Sequence, residues 1–225
     1  MPDSQAGPPQ TSPPSSLNPG VPATHLFLIR HGEVEDRYHR VFGGKIDMNL
    51  SPRGQEQARL LAACLRSRSF DAIYASPMRR AQQTVAPLAE ARPLSVNTVP
   101  ELREVDFGEW TGLNFLEVRE RFRAHAYEWL HHLERGSIPG GETARDLRAR
   151  VEPVLRRLLA RHLGQSVAVV CHGGIVRVLL SLLLDLPLSK MSCFEVDYAS
   201  LTWVELQPHK IEVQLLNFTP WRDHP

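Results

Sequence analysis

The chain has 225 residues, with 26 Lys and Arg against 25 Asp and Glu and a formal net charge of +1 at pH 7. That balance argues against a protein working mainly by non-specific attraction to nucleic acid or to a membrane surface. A hydrophobic content of 42% over this length is enough for a substantial core.

The first 24 residues hold seven of the 18 prolines and a single charged residue, Asp3. They show no periodicity and read as a disordered Pro/Ser-rich tail (1–24) ahead of one domain (25–225). Nothing in the tail resembles a secretory leader, which needs a basic start and an apolar centre. Order begins at His25-Leu26-Phe27-Leu28-Ile29, an apolar run that reads as a buried strand. A helix follows from Ser51 as N-cap and Pro52 at the first helical position, with Ala58, Leu61, Ala62 and Leu65 on one face. Asp71 to Ala75 is a second strand, and Ser76-Pro77 opens a second helix reaching about Ala91. Leu94 to Val99 alternates loosely as a third strand.

Asn114 to Arg135 carries a helical pattern rich in charge and aromatics. A long helix follows Gly140-Gly141, with Leu147, Val151, Val154, Leu155 and Leu158 on its stripe. Pro153 inside that stripe implies a kink or a late start. Ser166 to Cys171 is the clearest buried strand, and an apolar helix runs from Gly173-Gly174 to about Leu184. Ile175 to Leu186 is too short to cross a bilayer and contains Arg177. Ser200–Leu206 and Ile211–Leu216 are the last strands, and they offer a sheet edge for a homodimer. Strands alternating with helices predict a three-layer α/β/α sandwich with a mostly parallel central sheet. The three cysteines, Cys64, Cys171 and Cys193, are too scattered for a disulfide framework or a cysteine-rich zinc site, which favours the cytoplasm.

In such sheets ligands bind beyond the carboxyl ends of the strands. Three of those ends run into Arg30-His31-Gly32, Ser76-Pro77-Met78-Arg79-Arg80 and His172-Gly173-Gly174. They bring two histidines and at least two arginines to one side. Guanidinium forks and free N–H groups at a helix start bind phosphate oxygens. A neutral histidine can attack phosphorus, and neighbouring arginines keep it neutral. A second histidine, if protonated, adds positive charge opposite the transferring phosphoryl group. A carboxylic acid must still protonate the departing alkoxide, and the stretch Glu101 to Asp106 supplies candidates. Each residue taken alone has a plainer reading: a histidine after a strand is usually a structural hydrogen-bonder, Gly173-Gly174 a turn, Arg30 or Arg80 an ion-pair partner. Their shared placement carries the functional reading.

These residues also carry a resemblance. Leu28-Ile29-Arg30-His31-Gly32-Glu33 resembles the Arg-His-Gly signature of the histidine phosphatase (phosphoglycerate mutase-like) superfamily. Gly44 to Gly54, Ser76 to Thr84, Leu102 to Gly112, Pro139 to Thr143 and Val170 to Gly174 resemble its further motifs in the same order. The resemblance implies the phosphoglycerate mutase-like fold and a phosphomonoester hydrolase acting on a small phosphorylated metabolite. It implies His31 as the phosphohistidine nucleophile, Glu104 as proton donor and then base, and His172, Arg30 and Arg80 gripping the phosphate. Gly44 and Gly173 fall in the phosphate-side motifs. Motif spacing selects Arg80 over Arg79 and Glu104 over Glu101.

Two positions depart from the family pattern. Arg37 stands where the family commonly has a phosphate-contacting Asn; it can replace that contact or turn outward. Val34 stands where Thr is common. The short stretch between Glu104 and Gly141 resembles the compact phosphatase branch, including alpha-ribazole phosphatase, and favours hydrolysis over mutase-type transfer. A non-catalytic phospholigand-binding protein would be expected to lack His31 or Glu104. The implied enzyme is a metal-independent, histidine acid phosphatase-type phosphomonoesterase with no cofactor: arginines and His172 supply the charge that Mg²⁺ supplies elsewhere. His125, His131 and His132 lack accompanying carboxylates at ligand spacing and read as a solvated helix face, not a metal site. Cys171 reads as an inert small hydrophobe closing a strand.

Overall fold

The structure, a computed structural model, describes residues 22–223; residues 1–21 of the expected tail at 1–24 lie outside the described residues. Six strands, β1 (Thr24–Arg30), β2 (Ala72–Ala75), β3 (Val96–Thr98), β4 (Ser166–Cys171), β5 (Leu201–Gln207) and β6 (Lys210–Phe218), form one sheet in the order β3-β2-β4-β1-β5-β6. The first four in that order run parallel, and β5 is antiparallel to both of its neighbours. The helices are α1 (Pro52–Cys64), α2 (Arg79–Glu90), α3 (Phe115–Phe122), α4 (Trp129–Arg135), α5 (Ala144–Arg161), α6 (Gly173–Leu184) and α7 (Pro220–Asp223).

Side-chain alternation explains why the sheet is covered on both faces. Leu26 and Leu28 of β1 join Val167, Val169 and Cys171 of β4 in a core with α5 and α6. The intervening Phe27, Ile29, Ala168 and Val170 join a second core with α1 and α2. The result is the expected three-layer sandwich. Thr24, one residue ahead of the expected start, is buried, and its hydroxyl accepts from the Gly164 N–H at 2.8 Å.

Three local expectations need correction. Asn114 to Arg135 is two short helices, because Arg123 takes a left-handed conformation (φ 53°) after α3. The second helix starts at Arg79 and not at Ser76-Pro77; the Ser76 hydroxyl is engaged by His172 at 2.7 Å. Pro153 neither delays nor ends α5, which begins at Ala144. Pro153 and Ala149 both face solvent, so water can take the carbonyl that proline leaves without a donor.

Ser51 caps α1 as its sequence suggests, its hydroxyl accepting from the Gly54 N–H at 3.0 Å. Gly54 matters for a second reason. It lets α1 approach the loop after β1 so closely that a Cβ there would lie 2.0 Å from the Glu33 carbonyl oxygen. Gly54→Ala is expected to cost roughly 1–3 kcal/mol by forcing helix and loop apart. Urea unfolding checks this, and an unchanged midpoint would refute the close-approach account.

Candidate active site

The site lies where β2, β4 and β1 end side by side. The His31 N–H donates to the Cys171 carbonyl at 3.0 Å and the Ser76 N–H to the Val170 carbonyl at 2.9 Å, so the strand ends are in register. His31 and His172 therefore meet, with ring centroids 5.2 Å apart. His31 lines a cleft of about 230 Å³ whose polar lining also includes Arg30, Arg80, Glu104, Gly173, Arg177 and Tyr198, and His172 is buried behind it.

His31 is oriented by its own loop. A carbonyl can only accept, so the 2.7 Å contact between Nδ1 and the Gly32 oxygen places the proton on Nδ1. Nε2 then carries the lone pair, and it accepts from Arg80 Nε at 3.2 Å. Burial first, and then Arg80 and Arg30, hold His31 well below its ordinary value of 6.5, against the opposing pull of the Gly32 carbonyl. The ring is neutral at physiological pH. The loop itself is fixed by Thr84, whose hydroxyl accepts from the Gly32 N–H at 2.9 Å.

Arg80 is almost fully buried, while Arg79 next to it faces solvent and pairs with Asp47 at 3.4 Å. The Arg80 guanidinium donates to the carbonyls of Ile46 at 2.8 Å and Gly44 at 3.4 Å. Gly44 has φ 47°, and a Cβ there would lie 2.7 Å from the Thr111 hydroxyl. Glycine is thus required for the turn that aims this carbonyl at Arg80. Gly44 holds an arginine, and Gly43 lines the cleft in its place. Arg30 lies over the Tyr198 ring, its guanidinium carbon 4.1 Å from the centroid.

His172 is fully buried, with Nε2 2.7 Å from the Ser76 hydroxyl and Nδ1 without a protein partner. Burial, followed by Arg80, holds it well below 6.5 as well. The sequence reading allowed a protonated second histidine; in this buried setting the ring is neutral. Ser76 Oγ already accepts from the Met78 N–H at 3.3 Å, so its hydrogen is free to point at His172 Nε2. In that tautomer Nδ1–H is an unspent donor.

Glu104 reaches the cleft from the loop before Val105, its carboxylate accepting from the Val105 N–H at 3.0 Å and the Gly174 N–H at 3.4 Å. Gly174 leaves that carboxylate its space, since a Cβ would lie 2.5 Å from Oε1. Glu101 faces α5, with Arg157 at 3.9 Å.

Arg37 does not join the group. Its side chain is 68% exposed and pairs with Glu35 at 3.3 Å. Residues 36–38 form a 3-10 turn, in which successive side chains point about 120° apart. That geometry sends Tyr38 into the cleft and Arg37 out of it. Arg177 and Tyr198 are among the cleft residues that escaped the sequence reading. Arg177 stands one helical turn beyond Gly173, a spacing that could have flagged it. Tyr198 comes from an irregular segment, and no local signal marks it. From the 114–135 stretch, Phe115 and Trp129 reach the cleft, while His132 is held by the Ser137 hydroxyl at 2.8 Å. Burial pushes the Cys171 thiol far above its ordinary range, which leaves it inert.

This fold and this strand-end grouping of histidines and arginines define an α/β sandwich protein with a cationic cleft at the carboxyl ends of its parallel strands. The model for the histidine phosphatase superfamily (branch 1) matches residues 26–219, and the chain belongs to that family. It is 34% identical over 194 residues to phosphoserine phosphatase 1 of Hydrogenobacter thermophilus, covering 86% of this chain and 92% of the relative. It is 29% identical over 192 residues to the adenosylcobalamin/alpha-ribazole phosphatase of Escherichia coli, covering 85% and 95%. Among solved structures, the mycobacterial glucosyl-3-phosphoglycerate phosphatase superimposes with a TM-score of 0.78 at 27% identity, covering 87% of this chain and 99% of that one. Among the described residues, no helix is long and apolar enough to cross a membrane.

Proposed function

We propose that the chain hydrolyses phosphomonoesters of small metabolites through a phosphohistidine on His31. The observation that carries this reading is the His31 tautomer: Nδ1 is spent on the Gly32 carbonyl, so the Nε2 lone pair faces Arg80 at the base of the cleft. Arg30, Arg80, the Gly173 end of α6 and the His172 Nδ1–H grip the phosphoryl oxygens, and Arg80 trades its His31 contact for the ligand. Nε2 attacks phosphorus while the P–O bond to the leaving group breaks, and Glu104 in its acid form protonates that oxygen. Glu104 then takes a proton from water, whose oxygen attacks phosphorus, and the P–N bond breaks to return neutral His31 and release inorganic phosphate.

Beyond the phosphate end, the walls are Tyr38, Phe42, Met48, Phe107, Phe115 and Trp129. Such walls suit an alcohol with an apolar or aromatic body better than a polyol, which needs many hydrogen-bond partners. A cytoplasmic setting accords with the free thiols of Cys64, Cys171 and Cys193.

A phosphomonoester panel tests the reading, run with and without a chelator and with and without 2,3-bisphosphoglycerate. Chelator-insensitive phosphate release is expected, with aryl esters ahead of sugar phosphates by roughly tenfold or more in kcat/KM. Isomerisation outpacing release would assign phosphoglycerate mutase-type transfer. Ligand binding without turnover would leave a non-catalytic phospholigand-binding protein.

A further inference from the structure

The Pro139–Thr143 motif supplies no group to the cleft, yet its Glu142 forms a nearly buried ion pair with Arg150. Glu142 and Arg150 of α5 are 12% and 11% exposed at their side chains. Arg150 donates through Nε to Glu142 Oε1 at 2.7 Å and through Nη2 to Oε2 at 2.8 Å, a two-pronged contact. Its other N–H groups go to the backbone of the segment that carries Glu104. They reach the carbonyls of Glu101, of Arg103 at 3.0 Å and of Glu104 at 3.1 Å. All five guanidinium donors are thereby used.

Glu142 ties the far side of the same segment. Its Oε2 accepts from the Asp106 N–H at 2.9 Å, and its own N–H donates to the Asp106 carbonyl at 2.8 Å. Burial pushes the Glu142 carboxyl upward, but the Arg150 hydrogen bonds and the Asp106 N–H outweigh it and hold the group below its ordinary range. The Glu142 carboxylate stays ionised at neutral pH. Buried ion pairs often add no stability over well-packed apolar residues of like volume. What this one adds is placement, because it grips the backbone on both sides of Glu104.

We propose that Arg150 and Glu142 are positioning residues that set the Glu104 carboxyl at proton-transfer distance from the leaving oxygen. The inference rests on Glu104 being the proton donor, and its test separates the two ideas. A p-nitrophenolate leaving group departs without a proton, whereas an alkoxide requires one. The readout is the ratio of kcat/KM on p-nitrophenyl phosphate to kcat/KM on butyl phosphate. This ratio reports phosphoryl transfer to His31 and excludes the later hydrolysis of the phosphoenzyme.

Arg150→Lys and Glu142→Gln are expected to raise the ratio at least tenfold, as a misplacement of about 1 Å can cost roughly 10²-fold. The double variant Glu142→Leu/Arg150→Met carries the same readout without an unpaired buried charge, with folding checked by circular dichroism. Glu104→Gln is the reference and sets the largest ratio. Equal losses on both substrates, or an unchanged ratio in the folded double variant, would overturn the positioning role while Glu104→Gln still raises the ratio. A ratio unmoved by Glu104→Gln overturns the proton-donor reading itself, and the positioning role with it.

Discussion

Replacing His31 by alanine is expected to lower phosphate release by at least about 10³-fold, because the rest of the cleft can bind a phosphoester but has no second placed nucleophile. His172 cannot stand in without moving: it is wholly buried, and its Nε2 is engaged by Ser76 at 2.7 Å. Cys171 is held in its thiol form by burial. Trimming a 5% exposed imidazole to a methyl group leaves space and introduces no clash, so the variant should fold. Two measurements check this. Steady-state release gives the loss in rate. Quenching with labelled substrate should trap an acid-labile, alkali-stable phosphoenzyme in the parent and none in the variant. A variant that kept a tenth of the activity, or any of the label, would remove His31 from its assigned role.

Arg80→Gln is expected to produce the second largest loss, about 10²–10³-fold in kcat/KM, the cost of one preorganised donor facing developing charge. It should also move the acid limb of the pH profile. His31 attacks only when neutral, and its proton affinity is depressed first by burial and next by Arg80. Removing the second cause raises that affinity toward 6.5, so activity is lost at a higher pH as the solution is acidified. Arg80→Lys separates the two effects. Its point charge should restore the position of the limb, while the missing fork keeps the rate low. A limb that stays put in Arg80→Gln would mean that burial and Arg30 suffice to keep His31 neutral.

Much of the chemistry was legible along the chain because its signals are local. The cap at Ser51-Pro52, the period-two strand pattern and the residues that follow each strand depend on near neighbours only. His31, His172 and the Arg79-Arg80 pair were found from strand ends, and the spacing of the family motif separated Arg80 from Arg79. Local signals failed where packing decides the outcome. Arg37 sits at a position where the family pattern suggests a phosphate contact, but a 3-10 turn rotates it to solvent and Tyr38 inward. Ser76 reads as the start of a helix, but His172 takes its hydroxyl, and α2 begins three residues later. The motif ending in Glu142-Thr143 was visible, while its partner Arg150 and the carbonyls that the pair grips were not.

By itself, then, the sequence determined the alternation of strands and helices, the family, and which residues stand at the strand ends. Hydrophobic period, capping chemistry and motif spacing act within a few residues, so they survive in a linear string. Only the tertiary structure decided that β4 lies between β2 and β1, which sets His172 5.2 Å from His31. Only it brought Tyr198 and Arg177 to the cleft, turned Arg37 away and gave Arg150 its hold on the Glu104 loop. Those outcomes depend on contacts between residues far apart in the chain, where burial and the need to satisfy every buried donor select one arrangement from many.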